Sequence, residues 1–294
     1  MTTPDFDPLQ SDVRPPADPS RHPGVDDATR ATVGAVLTYG AALLIGGLAA
    51  LLSDPGAPGF RSAGSTRAQL AVQAVVFAAA ALLLIESLRL MHRPGTRDPL
   101  ANPAASPRVR PALAPVFALG LAAAVGAYLV GPLVSELLPS LTDKNPPVDK
   151  LGIDSALGSD LATVLVVAGL VPLGEELLFR GVLVGAWVRA NRPVIAVLLS
   201  TVLFSAAHLT VGSRSVVVTA LLGLLFAAAF MLSGSLGAPV LAHCTVNAIA
   251  LVDAGLVGAV PLVVLAVTVL ATTVVASRLS PLVSWRPPAG TLTE

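Results

Sequence analysis

Six polar side chains interrupt stretches of this sequence that are otherwise apolar. Glu175, Glu176 and Arg180 lie in Gly174-Glu175-Glu176-Leu177-Leu178-Phe179-Arg180-Gly181. His208 closes Phe204-Ser205-Ala206-Ala207-His208, and His243 and Asn247 frame His243-Cys244-Thr245-Val246-Asn247. Two carboxylates, a guanidinium, two imidazoles and an amide are an inventory for activating water. A carboxylate can take a proton from water, an imidazole can bind a metal or hold an oxyanion, and an amide can do the latter. Spacing sorts the set. Positions i and i+4 share a helix face, so Glu176 and Arg180 are placed to pair, and His243 and Asn247 fall on one face of another helix. Glu175 stands about 100° round the helix from Glu176. It has no partner on its own helix and is left to face something else. His22 and His92 fall in a tail and a loop, without a role.

These residues are costly where they are. Hydrophobic residues make up 54% of the chain and charged ones 12%, with a mean hydropathy of +0.79. Soluble domains carry about 25% charged residues, so this chain requires a bilayer as solvent. There an ionisable side chain at a span centre costs at least ~2.5 kcal/mol. The net charge of +0 gives no reason to expect nucleic acid as a partner. The single cysteine, Cys244, excludes an internal disulfide framework and reads as a buried, inert thiol.

The elements that must hold the six residues are therefore transmembrane helices. A span needs ~20 apolar residues, and backbone groups in lipid must pair internally, which favours helices over open strands. The predicted fold is an all-α polytopic bundle of about eight spans, at 31–52, 68–91, 112–138, 160–188, 193–211, 215–233, 238–254 and 258–277. Residues 1–30 read as a disordered cytoplasmic tail, 31–138 as N-terminal spans, 139–159 as an external loop with an interfacial helix, 160–277 as the catalytic core, and 278–294 as a C-terminal tail. With eight spans, twelve basic loop and tail residues fall on one side and five on the other, so the positive-inside rule puts both termini in the cytoplasm. Lysine occurs only at Lys144 and Lys150 while Ala, Val, Leu, Pro and Arg abound. That bias suggests GC-rich bacterial coding and a bacterial plasma membrane.

Glu-Glu-x-x-x-Arg at 175–180, Phe-x-x-x-His at 204–208 and His-x-x-x-Asn at 243–247, in this order, resemble the CPBP family of CAAX proteases and bacteriocin-processing enzymes. The contexts Glu-Glu-Leu-Leu-Phe-Arg-Gly at 175–181 and Gly234-Ser235-Leu236-Gly237-Ala238-Pro239 are similar too, and the likeness covers roughly 160–254. The resemblance implies an intramembrane protease acting on a membrane-associated or lipidated protein or peptide. Glu175 would be the general base, His208 would hold the water or a metal, and His243 and Asn247 would stabilise the oxyanion. Glu176 and Arg180 would orient their helix. Glu175, His208 and His243 could also form a three-ligand zinc site with an open position, so both metalloprotease and glutamate-type mechanisms remain open. No His-Glu-x-x-His or Gly-x-Ser-x-Gly motif is present. Two other functions use the same inventory. One is a non-proteolytic scaffold or bacteriocin self-immunity protein that acts by binding. The other is a transporter, for which paired repeats with broken helices are expected and not found.

One geometric condition follows. His208 lies ~22 Å along its span from Pro193, and His243 only ~8 Å beyond Ala238. Both spans enter from the same side. The two histidines reach one depth only if the uncharged loop Ser233–Pro239 sinks into the membrane.

Overall fold

The computed structural model describes residues 23–53, 71–83, 113–141, 164–209, 213–253 and 259–283. Residues 1–22, most of the expected external loop and the last residues of the C-terminal tail lie outside them. The described residues form eight helices and no strand, one for each expected span. They are α1 (Pro23–Ser53), α2 (Ala71–Leu83), α3 (Leu113–Leu137), α4 (164–189), α5 (Pro193–Ala206), α6 (Ser213–Ser233), α7 (Gly237–Asp253) and α8 (Ala259–Val283). Long apolar stretches able to cross a membrane occur in α1, α3, α6 and α8, and α2, α5 and α7 are shorter apolar helices.

Burial is inverted relative to a water-soluble protein. Large apolar side chains such as Leu37, Leu44, Leu129, Val194, Val202 and Val263 face outward, whereas Glu176 and Arg180 are fully buried. Such an outer surface suits lipid tails, and ionisable groups inside a bundle face one another. This is an integral membrane protein. The helices wrap around α4 and α7: α7 packs along α3, α6 and α8, and α4 contacts α1, α5 and α7.

Three boundaries differ from expectation. First, α1 begins at Pro23, so residues 23–30 are helical rather than part of the tail. A proline at the start loses no helical hydrogen bond, and Asp26 in the first turn complements the helix dipole. Second, α5 stops at Ala206, and His208 sits in the turn beyond it rather than inside a span. Third, α4 is not a uniform α-helix. Its α-helical segment Val171–Glu176 lies between π-helical segments Val166–Leu170 and Leu177–Val184. Apolar periodicity does not reveal such a change of winding.

Two tight connections flank the elements of the site. Between α4 and α5, Asn191 takes a left-handed backbone (φ 57), and Pro193 then starts α5. Between α6 and α7, Gly234 has φ +62, which favours glycine. The following residues Ser235, Leu236, Gly237, Ala238 and Pro239 are all buried. Part of the expected Ser233–Pro239 loop is thus enclosed by protein, with α7 already starting at Gly237. Hydroxyls make it tolerable by meeting backbone donors at the start of α7. Leu236 N donates to Ser280 Oγ (2.9 Å), and Gly237 N to Ser235 Oγ (3.1 Å). The Ser235 and Ser280 hydroxyls are themselves bonded at 2.9 Å. Cys244 is buried, as expected of an inert thiol.

Candidate active site

The α-helical segment of α4 carries Glu175 and Glu176 toward α7, where both meet His243. Glu176 Oε1 accepts from Arg180 Nη1 at 2.9 Å and from His243 Nδ1 at 2.9 Å. Glu175 turns to the same imidazole. Its Oε2 lies 3.7 Å from His243 Nε2, so adjacent carboxylates straddle the two nitrogens of one imidazole.

An ionised Glu176 sharing its oxygen with a guanidinium can only accept, and the tautomer consistent with that contact carries the hydrogen on His243 Nδ1. In the singly protonated ring, Nε2 then presents a lone pair toward Glu175. Arg180 is tied down from three directions. Besides Glu176, its Nη2 donates to Gly223 O on α6 at 3.1 Å, and its guanidinium lies 4.7 Å from the Phe204 ring centroid and 5.5 Å from that of Phe226. Desolvated cation–π contacts of this kind contribute about 2 kcal/mol. The same two rings hold His243. Phe226 stacks on it at 5.0 Å and Phe204 meets it edge-on at 5.8 Å.

His208 lies on the other side of Phe204, with ring centroids 5.2 Å apart. Its Nδ1 is 2.9 Å from Phe204 O, which as a carbonyl can only accept. Here too Nδ1 carries the hydrogen and Nε2 is left to act. The two imidazoles thus flank one phenylalanine. Asn247 lies one turn beyond His243, and its Nδ2 donates to Val167 O at 2.9 Å. That carbonyl belongs to the first π-helical segment of α4. Ser200 Oγ makes the equivalent bond to Phe179 O (3.2 Å) in the second. A neighbouring helix thus braces each π segment on one side of the Glu pair, a placement common where such turns serve function.

The expected zinc set does not assemble in this arrangement. Among the described residues no three His, Cys, Asp or Glu side chains are gathered closely enough to hold a metal ion. Glu175 and His243 provide two donors, and His208 would have to be brought to them to complete a site with bonds of about 2.0–2.2 Å.

Residues 157–249 match the family model described as type II CAAX prenyl endopeptidase Rce1-like. Over these residues the chain is similar to the CPBP/CAAX protease family. No curated protein and no solved structure matches it. The Rce1-like region contains all six residues of the expected site. It also contains Gly223 and Phe226, which sequence reasoning passed over. Both lie in Leu221-Leu222-Gly223-Leu224-Leu225-Phe226, a run with no ionisable group to draw notice. A glycine three residues before an aromatic inside a span was the available signal.

Proposed function

We propose that this protein hydrolyses peptide bonds of a membrane-associated or lipidated protein or peptide by a glutamate-type mechanism. The observation that carries this reading is the division of labour around His243: Glu176 holds Nδ1 at 2.9 Å, and Nε2 faces Glu175 across 3.7 Å. The longer separation leaves both groups free to contact a third. Water placed against them is oriented by the Nε2 lone pair and gives a proton to the Glu175 carboxylate. Its oxygen bonds to the scissile carbonyl carbon, and the carbonyl π electrons move to oxygen. The second amide hydrogen of Asn247, beyond the one donated to Val167 O, serves as a donor to that oxyanion. Collapse breaks the C–N bond, and the proton held on Glu175 passes to the leaving amine. Atoms and charge balance without another reactant. The bacterial plasma membrane as location belongs to this proposal through the scarcity of lysine beside abundant Ala, Val, Leu, Pro and Arg, and cytoplasmic termini through the distribution of basic residues.

The test is hydrolysis of a lipidated reporter peptide by purified protein in detergent. Glu175→Gln is expected to lower the rate at least ~100-fold, the lower end of what general-base catalysis supplies. Activity is expected to survive a strong chelator. Loss under chelation that zinc restores would replace the glutamate mechanism with a metal one. Equal rates for wild type and Glu175→Gln would remove Glu175 from the chemistry and favour a protein that acts by binding.

A further inference from the structure

The family-matched region is not the whole of the site. α1 lies outside residues 157–249, yet it reaches the turn that carries His208. Tyr39 Oη donates to Ala207 O at 2.8 Å, immediately before that histidine. The phenol ring stacks on Phe77 of α2 at 5.6 Å and 10°. Phe77 is in turn held against α4 at Gly174, the residue before Glu175. The phenol also lies within electrostatic reach of the Glu175 carboxylate.

The end of α5 shows why this contact matters. The last carbonyls of a helix have no partner within it, and in an apolar setting each needs a donor. Leu203 O, Ser205 O and Ala206 O are met by the backbone N–H groups of Ala207, His208 and Leu209. Phe204 O is met by His208 Nδ1, and Ala207 O by the Tyr39 hydroxyl. The ring orientation of His208 therefore depends on a turn whose last carbonyl is fixed by α1.

The geometry points to Tyr39 as a positioning residue for His208, so that α1, outside the matched region, is part of the active apparatus. Its bearing on catalysis rests on the protease reading above; its bearing on the histidine does not.

The test uses full-length protein with ¹⁵N-labelled histidine rings in detergent micelles. Signals of His208 and His243 are assigned by His208→Gln and His243→Gln. In the wild type, His208 is expected to show a protonated Nδ1 and an unprotonated Nε2. Tyr39→Phe removes only the hydroxyl. It is expected to shift the His208 ring signals toward a mixture of tautomers and to leave those of His243 in place. Thr32→Val is the control. It breaks the other α1 hydrogen bond to the core, from Trp187 Nε1 to Thr32 Oγ1 at 2.9 Å, and is expected to move neither histidine. Phe77→Leu removes the ring beneath Tyr39 and leaves the hydroxyl. It is expected to give a smaller shift in the same direction, and it carries the test if Tyr39→Phe does not accumulate. Unchanged His208 signals in Tyr39→Phe, or an equal change in Thr32→Val, would overturn the assignment. With a cleaved reporter in hand, Tyr39→Phe is expected to lower kcat by up to ~100-fold, as misplacement of a reacting group can, with KM little changed. Histidine signals that shift in a protein cleaving nothing would sink the protease reading and leave Tyr39 as a positioning residue.

Discussion

Glu175 and Glu176 are neighbours in sequence, yet they inhabit different surroundings. The Glu176 side chain is fully buried, and one oxygen accepts from both Arg180 and His243. Phe204 and Phe226 pack around the partners of that oxygen. The Glu175 side chain keeps 14% exposure and lies beyond hydrogen-bonding distance of His243. A carboxylate committed to short bonds in a closed setting is framework: moving its proton would disrupt its neighbours. A carboxylate with access and no short bond to its neighbour is a reagent. The two sides of α4 thus divide support from chemistry, and mutations that separate them are the useful ones.

The largest effect is expected on the support side. Glu176→Gln leaves Arg180 as an uncompensated buried charge, a loss of ~3–5 kcal/mol. Thermal unfolding in detergent checks it, and Arg180→Met in the same chain is expected to restore part of the loss. A single variant as stable as wild type would mean that the pair contributes little and that the contrast between the two carboxylates is overstated.

A smaller effect is expected where α2 crosses α4. A Cβ on Gly174 would lie 2.7 Å from Ala74 O and 3.2 Å from Phe77 Cβ. The nearer atom is backbone, so α2 must shift. Gly174→Ala is expected to cost about 1–3 kcal/mol, as overpacking does. Because Glu175 is the next residue, hydrolysis is expected to fall along with unfolding temperature. Full activity at lowered stability would show that α2 supports the fold without shaping the Glu175 side.

The smallest effect belongs to Asn247→Ala. It removes a bond to Val167 O of the kind that contributes about 0.5–1.5 kcal/mol. Hydrolysis is expected to drop by less than in Glu175→Gln. A loss as large as that of Glu175→Gln would move Asn247 from auxiliary donor to an essential part of the chemistry.

Much of this arrangement was legible in sequence because misplaced polarity is conspicuous in an apolar chain. Glu176 and Arg180 pair as their spacing predicts. Counting residues from the span ends also singles out the 233–239 stretch, which is packed against protein from Ser235 onward. Other features carry no such mark. The π-helical turns of α4 consist largely of apolar residues, so periodicity does not register them. Phe226 and Phe77 look like ordinary lipid-facing residues until packing shows what their rings touch. The apolar run continues past Ala206, where α5 ends, so the pattern alone puts His208 inside a helix. The zinc set relied on residue types, and types alone do not say which donors converge.

The central claim is that adjacent carboxylates do different work, and one paired measurement addresses it most directly. Unfolding temperature and reporter hydrolysis are recorded on the same preparations of wild type, Glu175→Gln and Glu176→Gln. The account predicts that Glu175→Gln unfolds with the wild type while losing hydrolysis at least ~100-fold, and that Glu176→Gln unfolds at markedly lower temperature. If stability and hydrolysis fall together and equally in both variants, the carboxylates form one structural unit, and the division between support and chemistry is contradicted.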